Sequence, residues 1–244
     1  MASPRKLLHA QGLSKAFGRV QAVADMSMDV CEGEILGVLG PNGSGKTTLF
    51  NLLTGIEKPD SGRIVFQGRD ITRRAVHQRC RLGIGRTYQI PRPFGNMTVL
   101  ENLLVAATQG TGQSEKAVRA QVDEILELTG FALKKDIFAR SLPLLDRKRL
   151  ETARALATQP RLLLLDEIAG GLTESEAQAV LEIIRGVNQK GVTIVWIEHI
   201  ISLMAGVDRI LALDQGRPLL CADPRTVMSS PALAACYLGG GDDA

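Results

Sequence analysis

A chain of 244 residues is long enough for one large α/β domain or two small ones, and its 45% hydrophobic and 23% charged residues are typical of a globular protein. Aromatic residues make up only 4%, so the core must be built from Leu, Ile, Val and Ala. A formal net charge of +3 is too small to indicate nucleic acid as a partner, because proteins that bind nucleic acid usually carry a dense basic patch.

Cysteine spacing and apolar runs predict the compartment. The four cysteines lie far apart without paired spacing, which favours free thiols in a reducing compartment over a disulfide framework or a zinc site. They are Cys31, Cys80, Cys221 and Cys236. The apolar runs, such as residues 162–165, are far shorter than the roughly 20 residues that span a bilayer. No apolar segment follows the basic start at Arg5 and Lys6, so we expect a cytoplasmic chain without a secretory signal.

The first third of the chain predicts strands around a glycine-rich turn. Residues 26–30 alternate apolar and polar side chains, as in a half-buried strand, and residues 35–39 (ILGVL) form a short apolar strand before the turn. Residues 46–55 (KTTLFNLLTG) have helical character and end in glycine. A PDSG turn then precedes a strand at 64–66.

Apolar strands recur in the second half of the chain, at residues 162–165, 192–197 and 210–213. A helix separates the first two, because Thr173 and Glu176 form a capping box and the apolar residues after them recur at helical spacing. Near-continuous apolar strands that alternate with helices are typical of a parallel sheet covered on both faces.

The middle of the chain, about residues 92–155, is helical in pattern and lacks such strands. A second capping box, Thr98 with Glu101, predicts a helix start there. We therefore expect a helical subdomain inserted in an α/β core formed by residues 1–91 and 156–244.

The run GPNGSGKT at residues 40–47 fits the phosphate-loop pattern G-x-x-x-x-G-K-[ST] in full. Glycines let successive backbone N–H groups point at phosphate oxygens, and the following helix adds its positive N-terminal end. Lys46 would reach the β- and γ-phosphates and the Thr47 hydroxyl would bind Mg²⁺. The position between strand and helix argues against an ordinary glycine turn. The residues expected to bind ATP are Gly40, Pro41, Asn42, Gly43, Ser44, Gly45, Lys46, Thr47 and Thr48.

Two carboxylates, Asp166 and Glu167, follow the apolar strand 162–165, and ligands of open α/β sheets bind at such strand ends. Asp166 would hold Mg²⁺ or its water, and Glu167 would polarise the attacking water. A solvated turn would explain the pair if it stood alone, but the phosphate loop favours the catalytic interpretation. His199 follows the strand 192–197, and a γ-phosphate contact fits that position, although a lone histidine is more often structural.

With these residues the chain resembles the ATP-binding subunits of ABC transporters over essentially its whole length. The resemblance implies a single P-loop NTPase (RecA-like) domain with a parallel sheet, an N-terminal antiparallel β-subdomain and the helical insert. It implies that Phe17 in LSKAFG stacks on adenine. It also implies that Gln89 in GRTYQ senses the γ-phosphate and Mg²⁺ and couples to a membrane subunit, and that His199 in IEH belongs to the ATPase site.

A narrower resemblance is to the branched-chain amino acid uptake group. It rests on GRTYQIPRPFGNMTVLENL (85–103), RLETARAL (149–156) and ALAACYLG (232–239). It implies an importer motor at the cytoplasmic face of the membrane, with integral membrane subunits, a second and different ATP-binding subunit, and an external solute-binding protein as an indirect partner. Related systems carry urea and amides, so the solute stays open.

One motif departs from the family pattern. Where the family has LSGGQ, this chain has Leu142, Pro143, Leu144, Leu145 and Asp146. Proline has neither a hydroxyl nor a backbone donor, the leucines add side chains where the backbone must approach closely, and Asp146 is expected to bring negative charge toward phosphate. This predicts a poor catalytic surface for the partner's ATP, and hence a heterodimer with one good site, unless the altered motif is adequate in this branch.

Milder departures are Ile168, in place of the usual proline, and Thr173, which ends a GGLT that replaces the D-loop aspartate. A homodimer, an ATPase-impaired regulatory half, a soluble non-transport ABC ATPase and a small-molecule kinase are the alternatives. The chain lacks the second ATPase module or long coiled coil expected of the soluble class, and the acidic pair with Gln89 before it fits the kinase class less well.

A basic stretch precedes Gln89. A solvated face beside the nucleotide is favoured over docking to an acidic partner or lipid. Its arginines are Arg69, Arg73, Arg74, Arg79, Arg81 and Arg86.

Overall fold

The computed structural model describes residues 5–238, which group into two compact units, residues 5–76 with 193–238 and residues 77–192. The strands are β1 (Lys6–Phe17), β2 (Val20–Cys31), β3 (Ile35–Leu39), β4 (Ser61–Phe66), β5 (Arg69–Asp70), β6 (Ile84–Arg86), β7 (Leu162–Asp166), β8 (Thr193–Ile197), β9 (Arg209–Asp214) and β10 (Arg217–Ala222). The helices are α1 (Lys46–Thr54), α2 (Val76–Arg81), α3 (Val99–Thr111), α4 (Glu115–Leu128), α5 (Leu144–Ala157), α6 (Glu174–Gln189), α7 (Ile201–Met204), α8 (Pro224–Met228) and α9 (Pro231–Leu238). No helix in this described part of the chain is both long and apolar enough to cross a bilayer.

The first unit contains an antiparallel sheet of order β2-β1-β4-β5 and the strands β10-β9-β3-β8 of a second sheet. In the second sheet β3 runs parallel to both β8 and β9, and all five of its residues are buried. The predicted N-terminal antiparallel subdomain and parallel core are therefore confirmed. Ile35 pairs with Ile194 and Val38 with Ile197, so the residues that follow β3 and β8 emerge at the same edge of the sheet.

The second unit contains the parallel pair β6–β7 and the helices α3, α4 and α5, which pack on one another. These helices lie in the segment predicted to be helical, and α5 continues to Ala157, two residues beyond the expected boundary. The division at residues 92 and 155 stays a prediction.

Both predicted capping boxes are present. The hydroxyl of Thr98 accepts from the Glu101 N–H at 3.2 Å, and that of Thr173 accepts from the Glu176 N–H at 3.3 Å. The α6 helix buries residues 177, 180, 181 and 184, as its apolar periodicity predicted.

Candidate functional site

The predicted phosphate loop connects β3 to α1, where its glycines fit because their surroundings leave no space for side chains. Gly45 caps α1 in a left-handed conformation with φ 98°. A Cβ atom at Gly45 would lie 2.3 Å from the carbonyl oxygen of Ala22, and one at Gly40 would lie 2.3 Å from that of Leu213. Contacts this short involve backbone on the facing side, so no other residue fits at either position.

Neighbouring backbone and one distant side chain hold the loop. The Gly216 N–H donates to the Ser44 carbonyl at 3.1 Å. The Gly40 N–H donates to the hydroxyl of Tyr237, on α9, also at 3.1 Å. Burial raises the pKa of Tyr237, and this hydrogen bond opposes the rise. No sequence pattern assigned Tyr237 to the site, because its segment, residues 232–239, carried only the family resemblance. Gly239, the last residue of that segment, lies outside the described residues.

Two side chains of the loop, those of Lys46 and Ser44, are suited to donate hydrogen bonds to an oxygen of a phosphate group. Lys46 is 6% exposed, and its ammonium donates to the carbonyls of Gly40 and Pro41 at 2.7 and 2.8 Å. Ser44 is 2% exposed, and its buried Oγ has no hydrogen-bond partner among the described residues. An unsatisfied buried hydroxyl is costly. A phosphate oxygen that accepts from Ser44 would remove that cost, so the loop fits the phosphate tail of a nucleotide.

The other predicted site residues of the first unit are accessible. Phe17 is 46% exposed, so part of its ring is accessible for stacking. The Lys15 ammonium lies 5.4 Å from the ring centroid. His199 is exposed and follows β8, at the sheet edge from which the phosphate loop starts. Its backbone N–H donates to the carboxylate of Glu198 at 3.1 Å. Thr47 is exposed and Thr48 half-buried at the start of α1.

In the second unit Asp166 ends β7 as a buried carboxylate in an ion pair. Its Oδ2 lies 2.8 Å from Nη2 of Arg86, and the two side chains are 6% and 7% exposed. The Asp166 N–H donates to the hydroxyl of Thr87 at 3.1 Å. The expectation that the arginines before Gln89 form a solvated face is wrong for Arg86, and also for Arg79, which is 1% exposed. Arg86 stands at the end of β6, which runs parallel to β7, and this pairing places it beside Asp166.

Glu167 has an uncommon backbone conformation and contacts side chains of the same unit. Its φ is 46°, in the left-handed region. Residues held in such sparsely populated regions cluster at functional sites. The Gln89 amide donates to its Oε2 at 2.5 Å, and the Lys148 ammonium donates to its carbonyl at 3.2 Å. The structure thus brings together Gln89 and Glu167, two residues that the sequence assigned to one site, and adds Lys148.

The sequence of the chain matches that of a known protein family. The sequence pattern of the ABC transporter family matches residues 23–170. The chain belongs to the ABC transporter family. It is an ATPase of that family, and its resemblance to ATP-binding subunits of the branched-chain amino acid uptake type is confirmed.

Relatives of this ABC subunit match it over nearly its full length. It is 39% identical to the high-affinity branched-chain amino acid transport ATP-binding protein LivG of Salmonella typhimurium, over 96% of this chain and 98% of that protein. It is 36% identical to the lipopolysaccharide export system ATP-binding protein LptB of Acidithiobacillus ferridurans, over 96% of this chain and 97% of that protein. A crystal structure of the ADP conformation of an ABC transporter cassette is 30% identical, with a TM-score of 0.88 over 96% of this chain and 99% of that one. The P-loop NTPase fold is therefore confirmed.

The segment in place of the ABC signature lies at the start of α5, where Pro143 provides no side-chain cap and Leu144 is 49% exposed. Asp146 does not present a bare charge. It is 4% exposed, and its carboxylate lies 2.6 Å from the Lys134 ammonium and 3.8 Å from the Arg149 guanidinium. The expectation that Asp146 brings negative charge toward phosphate is therefore corrected. The proline and leucines remain departures from the signature.

The fit of Mg²⁺ rests on oxygen donors. Among residues 5–238 no cluster of three or more His, Cys, Asp or Glu side chains is suited to a metal. Mg²⁺ commonly takes only one or two protein ligands and completes its shell with phosphate oxygens and water. The exposed hydroxyl of Thr47 and the carboxylate of Asp166 are ligands of the type that it prefers.

Proposed function

We propose that this chain is the ATP-hydrolysing subunit of an importer for branched-chain or chemically related amino acids. The observation that carries the proposal is the 39% identity to LivG over 96% of one chain and 98% of the other. The similarity to LptB, named for an export system, is slightly lower at 36%. Integral membrane subunits would hold the chain at the cytoplasmic face of the membrane, and an external solute-binding protein would act through those subunits.

The first unit would bind the nucleotide. Phe17 would stack on adenine, and the N–H groups of the loop together with Ser44 would bind phosphate oxygens. Lys46 would leave the carbonyls of Gly40 and Pro41 to neutralise charge that develops on the γ-phosphoryl group. His199 would contact the γ-phosphate.

The second unit would supply the groups that act on water. Mg²⁺, when bound, would neutralise negative charge on the phosphates, and Thr47, Asp166 and Gln89 are the residues proposed to hold it or its water. Glu167 would orient the attacking water and take its proton. Gln89 donates to Glu167, so its amide fixes that carboxylate and would sense the γ-phosphate.

Docking to the membrane subunits would use the segment around Gln89. Large apolar side chains of this segment are exposed, and exposed apolar side chains commonly mark contacts with other proteins. Their exposed fractions are 43% for Tyr88, 69% for Ile90 and 46% for Phe94. Bound ATP would move this segment and so transmit nucleotide state to the membrane subunits.

Uptake measurements test the proposed solute class. Cells that lack this chain should take up radiolabelled leucine, isoleucine or valine at least about tenfold more slowly, because a transporter without its ATPase has no source of energy. The wild-type chain should restore uptake, and a Lys46→Ala chain should not. Unchanged uptake of all three, with loss of uptake of an unrelated solute, would contradict the solute class and leave the ATPase role intact.

We further propose that the chain works with a second, different ATP-binding subunit. Pro143 has neither the hydroxyl nor the backbone N–H of the family signature, and the side chains of Leu144 and Leu145 would keep their backbone away from the phosphate. Loss of one preorganised donor costs about 100- to 1000-fold in rate. A homodimer would then have two poor sites, whereas a partner with an intact signature would complete one good site.

Mixing the purified chain with its cognate second ATPase should raise turnover at least about tenfold above the sum of the two separate rates, since one good donor set is restored. ATPase activity measured across mixing ratios checks this. A chain that is fully active alone and gains nothing from the partner would show that the altered motif is adequate, as the neutralised Asp146 would allow.

A further inference from the structure

Glu151 is a buried carboxylate on α5, outside the predicted ATP site. Its side chain is 6% exposed, and it pairs with Arg154, one helical turn along, at 3.1 Å. Burial raises the pKa of Glu151, and Arg154 opposes that rise. A buried carboxylate stays ionised only where ion pairs and hydrogen bonds replace its lost hydration. The groups that contact Glu151 therefore indicate its role.

Those contacts are made to the backbone at Arg92, three residues after Gln89. The Arg92 N–H donates to the Glu151 carboxylate at 3.4 Å. The Arg154 guanidinium donates to the Arg92 carbonyl at 2.9 Å. Both polar groups of the Arg92 backbone are therefore held by one pair of charged side chains on α5.

Two contacts extend the attachment beyond Arg92. The Arg154 guanidinium lies 4.9 Å from the ring centroid of Phe94. The Phe94 N–H donates to the amide oxygen of Asn102, a fully buried residue of α3, at 2.8 Å, and the Asn102 amide donates back to the Phe94 carbonyl at 3.1 Å. Gln89 thus lies in a segment, residues 88–94, that is fixed at Arg92 and Phe94.

We propose that Glu151 and Arg154 are positioning residues that clamp the 88–94 segment to α5 and so set the position of the Gln89 amide against Glu167. This inference rests on the proposed role of Gln89 in the ATPase site. Since α5 begins at Leu144, in the altered signature, one helix connects the surface that would face the partner's nucleotide with the segment that carries Gln89. A shift of α5 on pairing of the subunits would then move Gln89.

Hydrogen–deuterium exchange of the full chain without nucleotide tests the clamp directly. Glu151→Ala should raise exchange of the Arg92 amide about tenfold or more, because its charge-assisted hydrogen bond is lost. Glu151→Gln keeps an acceptor oxygen and should retain part of the protection. Unchanged exchange at residues 88–94 in a folded Glu151→Ala chain would overturn the proposal.

A matched control removes a comparable carboxylate elsewhere. Glu34 is 11% exposed as a side chain and pairs with Arg209 at 2.9 Å in the other unit. Glu34→Ala should lower the melting temperature without a change of exchange at residues 88–94. If Glu151→Ala does not fold, Arg154→Gln removes the donor to the Arg92 carbonyl and should raise exchange at the same residues, and a failure to do so would overturn the clamp.

A double-mutant cycle tests whether the clamp acts through Gln89. In the ATPase complex Glu151→Ala should lower kcat about tenfold, because a misplaced catalytic group loses rate, and should change ATP affinity less than about twofold. In a Gln89→Ala background it should have no further effect on kcat. Additive losses would overturn the proposal. If the wild-type complex does not hydrolyse ATP at all, the proposed function fails, and the exchange experiment still decides the clamp.

Discussion

A Glu167→Gln chain should bind ATP with near-normal affinity and lose turnover by about 100-fold or more. The amide has the shape of the carboxylate and keeps an oxygen to accept from Gln89, which lies 2.5 Å from the glutamate in the wild type. It cannot take a proton from water. The Lys148 contact is made to the main-chain carbonyl of residue 167, so the left-handed backbone keeps its support. Measurements of kcat with the partner subunit, and of binding with a fluorescent ATP analogue, check both parts.

The control for this loss is Glu174→Gln, which changes an exposed glutamate in the first turn of α6 in the same way. It should leave turnover within about twofold, because an exposed residue at a helix start contributes only a few tenths of a kcal/mol. Near-normal hydrolysis by the Glu167→Gln chain would remove Glu167 from the role of general base. A loss of ATP affinity as large as the loss of turnover would instead show that Glu167 contributes to the binding of ATP before the chemical step.

The phosphate loop could be predicted from the sequence because all its determinants lie within a few residues of one another. The apolar strand before Gly40, the glycines and the helix after Lys46 are consecutive in the chain, and the structure has them as β3, the loop and α1. The capping boxes at Thr98 and Thr173 are local for the same reason. Local structure is predicted most reliably where all the residues that determine it lie within one short segment.

The residues that support the site could not be predicted in this way, because their partners are distant in the sequence. Arg86 pairs with a carboxylate 80 positions away, and Tyr237 accepts from an amide 197 positions away. No periodicity encodes such pairs, and an arginine in a basic run is usually solvated. The sequence shows that Asp146 is acidic, but its neutralisation depends on Lys134, 12 positions away, and on Arg149, and only the folded structure shows that both lie beside it.

Substituting Arg86 should have the largest effect on stability of any change at the site. Arg86→Met leaves the carboxylate of Asp166, whose side chain is 6% exposed, without its guanidinium partner. Removal of one partner from a buried ion pair costs about 3–5 kcal/mol. We therefore expect a fall of that size in the free energy of unfolding, measured by denaturant titration. Arg86→Lys should lose less, because it keeps the charge but not the geometry of the guanidinium.

The double variant Arg86→Met with Asp166→Asn separates this charge effect from loss of packing. Because no uncompensated charge remains, it should recover most of the lost stability. It should not recover Mg²⁺-dependent turnover, since an amide is a much weaker ligand for Mg²⁺ than a carboxylate. A double variant as unstable as Arg86→Met alone would show that the aliphatic part of the arginine, packed against its neighbours, contributes the stability. A single variant as stable as the wild type would show that Asp166 needs no internal counter-ion, and the ion pair would then be incidental to the site.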